Sequence, residues 1–495
     1  MEIDGFLRIE HKYNLYHLDV DGVQPWMYYR FKFWNYQICK DLLSLSNTLQ
    51  KKSKLHRLGK QLKSALRIIL NSNIRQAHKA DIIFYAHPRR IKTDSYYECI
   101  YTDCLLDRYP QSIVFEEPFQ NQHLTPIKAS HIYYTDLFQI RAALYSRIQR
   151  HLKTPKYQRI YTQIQKAFEE PLKEIGFTYG VPVSCDKTCA DLTEIVLEIR
   201  ILRKELKKVF EKIQPRLIVE VVYYNKRCMI LNELAKEKGI PTIELQHGTM
   251  HAAHAAYQFP DGCGVISQFP DYVFVFSEYW KKCAHLPIAD ERIKVTGYPY
   301  FERQLNQYRK DSCETNGVKN IIFVSQGTIG GELSCLASEL CDLLDETKYH
   351  IIYKLHPGEY VGWRDRNTNL LKRNIEVIDS LEHNIYEFFS MCSIQVGVYS
   401  TAIYEGLGFG LTTYIYDIGH ADTLAELCQQ GYAVYVRNAE ELYAHIIADE
   451  TNPKDCGNAF WKMNALENIC EEIEHLLIEG TDNENTDSDS RQRRI

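Results

Sequence analysis

Short apolar runs recur along this chain, and each one stops at residues equipped for chemistry. Asp81–Tyr85 leads into His87, Pro88, Arg89 and Arg90. Ser112–Phe115 leads into Glu116, Glu117 and Pro118. Arg216–Val222 ends at Tyr223, Tyr224 and Asn225, Thr242–Leu245 at Gln246, His247, Gly248 and Thr249, and Asp271–Phe276 at Ser277 and Glu278. Stretches of helical character, at 136–170, 191–213 and 226–238, separate several of these runs. Strands that alternate with helices predict a parallel sheet. Ligands of such sheets bind beyond the carboxyl ends of the strands, where these polar residues fall.

A second series follows. Arg292–Thr296 and Gly297-Tyr298-Pro299 close the first, and the polar stretch 304–319 reads as a linker. Ile321–Val324 then leads into Ser325, Gln326, Gly327 and Thr328, and Tyr349–Leu355 into His356, Pro357 and Gly358. Ile375–Ile378 leads into Asp379 and Ser380, Ile394–Val398 into Tyr399, Ser400 and Thr401, and Leu411–Tyr416 and Ala433–Val436 complete the set. The expected organisation is a helical N-terminal extension over 1–75, a Rossmann-like domain over 76–303, the linker, and a second Rossmann-like domain over 320–457. A helix over 458–479, crossing back onto the first domain, and a disordered tail over 480–495 end it. The chain of 495 residues, 45% hydrophobic, can bury two sizeable cores.

Composition excludes some functions. The net charge of −5 argues against a nucleic-acid partner, which selects for basic domains. No run of 18 or more apolar residues and no signal-peptide pattern is visible, so the expected location is the cytoplasm or the inner face of a membrane. The extension leaves two readings open. Its aromatics (Trp26, Tyr28, Tyr29, Phe31, Phe33, Trp34 and Tyr36) fit a helix over Trp26–Leu45, with a second helix over Leu55–Leu70. With Arg30, Lys32, Lys40, Lys51, Lys52 and Lys54, they describe either a packed cap or a surface for peripheral membrane contact. The 15 cysteines include no CxxC pair, which predicts free thiols and no metal site. Asp19-Val-Asp21 lies outside either sheet and is discounted as a metal motif.

Five constellations could carry chemistry. In Gln246-His247-Gly248-Thr249, a strand-end imidazole can take a proton from a hydroxyl. In Lys354-Leu355-His356-Pro357, His356 can donate to a phosphate oxygen. Lys354 is a second cation or a solvated strand end. Ser400 and Thr401 start a helix, whose first N–H groups suit phosphate, with Glu405 one turn later for a ribose diol. Gln326, Gly327 and Thr328 form a glycine-rich loop, a weak signal alone. Glu116 and Glu117, with Arg89 and Arg90, read as an acceptor-side cluster in which a carboxylate competes with His247 as base.

In order and position, these motifs resemble the bacterial capsule and surface-polysaccharide glycosyltransferases of GT-B fold. The CDP-glycerol glycerophosphotransferases and polysialyltransferases belong to the same group. The resemblance spans about residues 80–430. It implies two Rossmann-like domains across a cleft, and transfer of a sugar from a CMP-, UDP- or GDP-linked donor to a glycan or lipid-linked glycan, with no obligatory cofactor or metal. It assigns His247 to the base or acceptor site, His356, Ser400 and Thr401 to the donor phosphate, and Glu405 to the donor ribose. The strand-end positions themselves add Glu117 as a catalytic candidate, Lys354, Gln326, Gly327 and Thr328 on the donor side, and Arg89, Arg90, Glu116, Gly248 and Thr249 on the acceptor side. The glycerophosphotransferases commonly carry Asp-Tyr-Ser-Ser where this chain has Val398-Tyr399-Ser400-Thr401, which favours a sugar donor. Polyol-phosphate transfer, sugar-nucleotide epimerisation and a non-catalytic assembly role are the alternatives.

Overall fold

The computed structural model describes residues 2–39, 73–119, 122–309, 317–372, 374–419, 421–449 and 458–492. The first sheet uses β1 (Ile82–Tyr85), β4 (Ile113–Glu116), β5 (Ile132–Tyr134), β6 (Leu217–Glu220), β7 (Thr242–Leu245), β8 (Tyr272–Val275) and β9 (Ile293–Val295). Between β1 and β4, β2 (Ile91–Lys92) and β3 (Tyr97–Glu98) form a small antiparallel ribbon. The sheet is wholly parallel, in the order β5-β4-β1-β6-β7-β8-β9. Its central strands are buried and mostly apolar because both faces are covered, although β6 and β7 also bury Glu220 and Glu244. Ile83 and Tyr85 enter one core, while Ile82 and Phe84 enter another on the opposite face. That second core is closed by Ile469, Cys470 and Ile473 of the last helix, which does cross back.

The second sheet uses β10 (Lys319–Val324), β11 (Tyr349–Lys354), β12 (Ile375–Ile378), β13 (Ile394–Gly397), β14 (Thr412–Tyr416) and β15 (Val434–Val436). Its order is β12-β11-β10-β13-β14-β15, again parallel. Two Rossmann-like domains are therefore present, in the arrangement of a GT-B fold. Each reverses direction once, between β1 and β6 and between β10 and β13, and the carboxyl edge at such a reversal is where a crevice opens.

Several elements differ from the sequence reading. The stretch 136–170 is two helices, Asp136–His151 and Pro155–Tyr179. Lys153 turns left-handed at φ 45°, Thr154 caps the second helix, and Pro155 starts it. The linker begins as helix, because Pro299–Arg309 buries Phe301 and Leu305 against the second domain. Residues 458–463 are not helical. Phe460 and Trp461 instead plug the seam between domains, where Trp461 stacks on Phe301 at 4.2 Å and donates to the Tyr404 carbonyl at 3.1 Å. The last helix starts at Ala465 and runs to Gln492, through the stretch expected to be disordered, with no proline to stop it.

The described part of the extension, residues 2–39, is a packed cap. Trp26, Tyr29, Phe33 and Trp34 are buried, and Arg30 is buried on Glu10 at 2.8 Å. Glu10 also accepts from Tyr16 Oη at 2.7 Å and Trp26 Nε1 at 2.5 Å. The expected helix over Trp26–Leu45 shows as Arg30–Phe33 followed by a wider turn, Trp34–Ile38. The expected helix at Leu55–Leu70 lies outside the described residues. Among the described residues, no helix is long and apolar enough to cross a membrane, and no group of three metal-ligating side chains gathers. The described cysteines are free.

Candidate functional site

The crevice of the second domain is built from three loops. After β13 the chain turns at Ser400, whose Oγ accepts from the Ala402 N–H at 3.2 Å and caps the helix Thr401–Gly408. This helix lies close on its strand because glycines permit it. A Cβ at Gly397 would meet Ile403 Cδ1 at 2.5 Å, and one at Gly406 would meet Gln395 Oε1 at 2.1 Å. The helix N-terminus thus opens at the strand reversal, the place for a phosphate. After β10, Gln326, Gly327 and Thr328 line the opposite lip. Thr328 Oγ1 hydrogen-bonds the Tyr399 hydroxyl across the reversal, and Gln326 Oε1 is buried without a protein partner.

After β11, His356 is held in one pose. Its Nδ1 accepts from the Gly358 N–H at 3.1 Å, so in the neutral ring Nε2 carries the proton. Glu359 closes the turn. It accepts from the His356 N–H at 2.8 Å and from Ser325 Oγ at 3.1 Å, joining two loops. Gly330 leaves room for it, since a Cβ there would lie 2.0 Å from Glu359 Oε1. The imidazole remains exposed, and burial, Arg89 and Lys354 lower its pKa. It is a neutral N–H donor on a rigid turn. The pattern His356-Pro357-Gly358-Glu359 carried the signal for Glu359, as a capping residue three positions on.

Lys354 does not fit its expected role. It is 8% exposed, and its ammonium donates to Tyr360 Oη at 2.8 Å and the Ser380 carbonyl at 3.0 Å. Burial pulls it down to about 8. Two of its three N–H groups are engaged beneath the loop.

Glu405 lies at the domain seam. Burial raises its carboxyl to about 7, partly offset by a hydrogen bond from Tyr386. The hydroxyls of Tyr101, Tyr298 and Tyr300 are close enough for its charge to raise them. Tyr101 belongs to the first domain, so this carboxyl faces both.

The crevice of the first domain is aromatic and largely buried. His247 lies just beyond β7, with Tyr224 Oη 3.1 Å from Nε2 and Tyr257 Oη 3.3 Å from Nδ1. Tyr257 donates at 2.8 Å to Glu244, a fully buried carboxyl that also accepts the Tyr223 N–H at 3.1 Å. Tyr257 therefore accepts from His247 Nδ1–H, which leaves Nε2 as a lone-pair acceptor. Burial, then the neighbouring His87, push His247 down to about 3. The His87 ring lies 6.3 Å away, nearly parallel, and burial lowers it too. Burial raises Glu244 well above the usual carboxylate range, and its Oε2 has no protein partner. Gln246 fixes the turn, donating to the Gly248 carbonyl at 2.7 Å and accepting from the Phe276 N–H at 2.8 Å. Gly248 faces open space, and Thr249 is half-buried.

Three expected acceptor-side residues belong to the architecture. Arg90 and Glu116 form a buried pair at 2.6 Å, and Arg90 also holds Asp103 at 2.9 Å. His123 bridges Glu116 and Asp136 at 3.4 and 3.0 Å, and those carboxylates raise it to about 9 despite burial. Glu117, expected as a base, accepts from Tyr85 Oη and Asn225 Nδ2 at 2.6 Å each and from Arg227 Nε at 2.8 Å. A carboxylate so engaged, and paired with a guanidinium, is arranged to hold the β4 and β6 loops together rather than take a proton. Arg89 alone of this cluster is exposed. Its charge reaches His356 in the other domain. Tyr101, whose hydroxyl donates to the His247 carbonyl at 2.9 Å and feels the Glu405 charge, joins the two crevices.

No protein-family model matches the sequence, and no curated protein matches it. Among solved structures, the chain is similar to a UDP-GlcNAc 2-epimerase from Methanocaldococcus jannaschii at 10% identity and TM-score 0.47, covering 80% of this chain and 99% of the other. It is similar to the wall teichoic acid polymerase TagF at 13% identity and TM-score 0.41, covering 86% and 99%. A further UDP-N-acetylglucosamine 2-epimerase matches at 14% identity and TM-score 0.44, covering 81% and 96%. Values this low assign no activity.

Proposed function

We propose that this chain is a glycosyltransferase that moves a sugar from a nucleotide-sugar donor onto a glycan acceptor. One observation carries the reading: an open helix start beside the neutral, exposed His356 of one domain adjoins, through Tyr101, the neutral imidazoles of the other. The donor diphosphate or monophosphate lies on the Ser400 helix N-terminus, and the His356 Nε2–H donates to the leaving oxygen. Donors placed in advance at developing negative charge are the strongest single device for such a departure. Glu405, one turn on, accepts from the ribose hydroxyls.

The acceptor hydroxyl replaces Tyr224 at His247 Nε2 and attacks the anomeric carbon as the bond from that carbon to the phosphate oxygen breaks. An imidazole held near 3 is a weak base alone. It gains strength from the relay behind it. The acceptor proton passes to Nε2, the Nδ1 proton to Tyr257, and the Tyr257 proton to the Glu244 carboxylate, so the base is Glu244. Transfer then requires Glu244 ionised, and kcat/KM rises with pH.

Calorimetry with CMP, CDP, UDP, UMP and GDP tests the donor half. One of these should bind selectively, and His356→Ala should weaken it. Selective turnover of CDP-glycerol would move the reading to polyol-phosphate transfer. Conversion of a sugar nucleotide without any acceptor would move it to epimerisation. Binding by none of them would support a non-catalytic assembly role.

A further inference from the structure

The sequence leaves membrane contact open on the aromatic extension, yet in the fold Trp26, Tyr28, Tyr29, Phe33 and Trp34 are interior. A different surface has the matching chemistry. On the helix Asp136–His151 and the turn after it, Leu144, Ile148 and Leu152 stand 58%, 45% and 66% exposed. Their spacing of four puts them on one line about 12 Å long, at 1.5 Å of rise per residue. The same helix buries Phe138, Ala142 and Ser146 on its opposite side, so the stripe faces solvent while the helix is fully anchored.

Cations flank the stripe. Arg141 and Arg147 lie on either side of it by helical geometry, and Lys153 occupies the tip of the turn. Arg141 is only loosely held, 3.7 Å from Glu205. Among the described residues, no ion pair engages Arg147 or Lys153. Beside the tip lies a groove of about 830 Å³, with Arg147, Arg150, His151 and Lys153 on one side and Asp186 and Glu194 on the other. Glu194 neutralises Arg150 at 2.7 Å, which leaves the outer rim cationic.

We infer that this stripe and its cationic rim form a docking face for an anionic lipid bilayer. An apolar line bordered by lysine and arginine is the pattern of a helix that lies in the interface. The side chains enter the acyl boundary while the cations meet lipid phosphates. The charge selects this occupant, since a second copy of the face would oppose like charges.

The test is co-sedimentation of the full chain with phosphatidylglycerol–phosphatidylcholine vesicles and with pure phosphatidylcholine vesicles, at low and high salt. The wild type should bind the anionic vesicles, release in high salt and ignore phosphatidylcholine. The triple variant Leu144→Gln, Ile148→Gln, Leu152→Gln should lose at least about tenfold in vesicle affinity. The pair Arg147→Gln, Lys153→Gln should lose less and become insensitive to salt. Both should retain wild-type thermal unfolding, because the replaced side chains face solvent. Three results would overturn the inference: no wild-type binding to anionic vesicles, undiminished binding by the triple variant, or concentration-dependent self-association that this variant abolishes.

Discussion

The two domains follow the same route. Each sheet builds outward through three strands, returns to its start and builds the other way, so each opens a crevice at one strand reversal. The fillings differ. The first crevice is lined by His87, His247, Tyr224 and Tyr257, and burial keeps both imidazoles neutral. The second presents a capped helix start, a glycine-rich lip and one exposed histidine. Topology decides where a site can be. Desolvation and capping decide whether it suits a hydroxyl or a phosphate.

The largest effect should come from a residue that only looks like part of the first site. Glu116→Ala leaves Arg90 and His123 without their shared carboxylate, and breaking a buried pair costs about 3–5 kcal/mol. Denaturant titration should show that loss while kcat/KM of the folded protein stays near wild type. A collapse in kcat/KM at unchanged stability would return Glu116 to the acceptor site.

His356→Ala should reduce kcat at least about 10²-fold, the size of losing one preorganised donor. Because the Gly358 N–H also loses its acceptor, His356→Asn serves as the partner variant. It can keep the cap and should recover stability but not rate. Equal rates in wild type and both variants would remove the second crevice from the chemistry.

Glu244→Gln should reduce kcat/KM by about 10²-fold, the lower end of general-base contributions, and flatten its rise with pH. A variant that keeps the wild-type pH profile would break the relay and leave His247 as a positioning group.

The smallest effect tests the dryness of the first domain. Burial raises Glu220 to about 7, above its value near 4.5 when unfolded. The folded state therefore holds the extra proton between these values, and the stabilisation present below 4.5 is lost as pH rises through 7. Glu220→Gln should remove this slope, so its melting temperature relative to wild type should be higher at pH 8 than at pH 5. A constant difference would show that water reaches this carboxyl.

Much of the fold was legible because parallel strands are buried on both faces and read as apolar runs. Ile82–Tyr85 and Ile321–Val324 are examples. The strand-end positions of His247, His356 and Ser400 were legible because each follows such a run, and that of Glu405 because it lies one turn into the helix that Ser400 caps. The exceptions have a common cause. A strand end shows that a residue reaches the edge, not whether it points into the crevice or is tied beneath it. Arg90, Glu116, Glu117 and Lys354 are tied by partners distant in sequence, such as Asp103 and Arg227. Tyr257 and Trp461 left no local signal, because their roles arise from contacts with Glu244 and Phe301. The Trp26 cluster left two readings open, of which the structure shows the packed cap. Aromatics at helical spacing describe a buried cap and a membrane face equally well.

Calorimetric titration of wild type, His356→Ala and Glu117→Gln with the nucleotide panel tests the central claim most directly. One nucleotide should bind the wild type and Glu117→Gln alike and bind His356→Ala at least about tenfold more weakly. Equal affinity for wild type and His356→Ala, or a loss confined to Glu117→Gln, would contradict a donor site in the second domain.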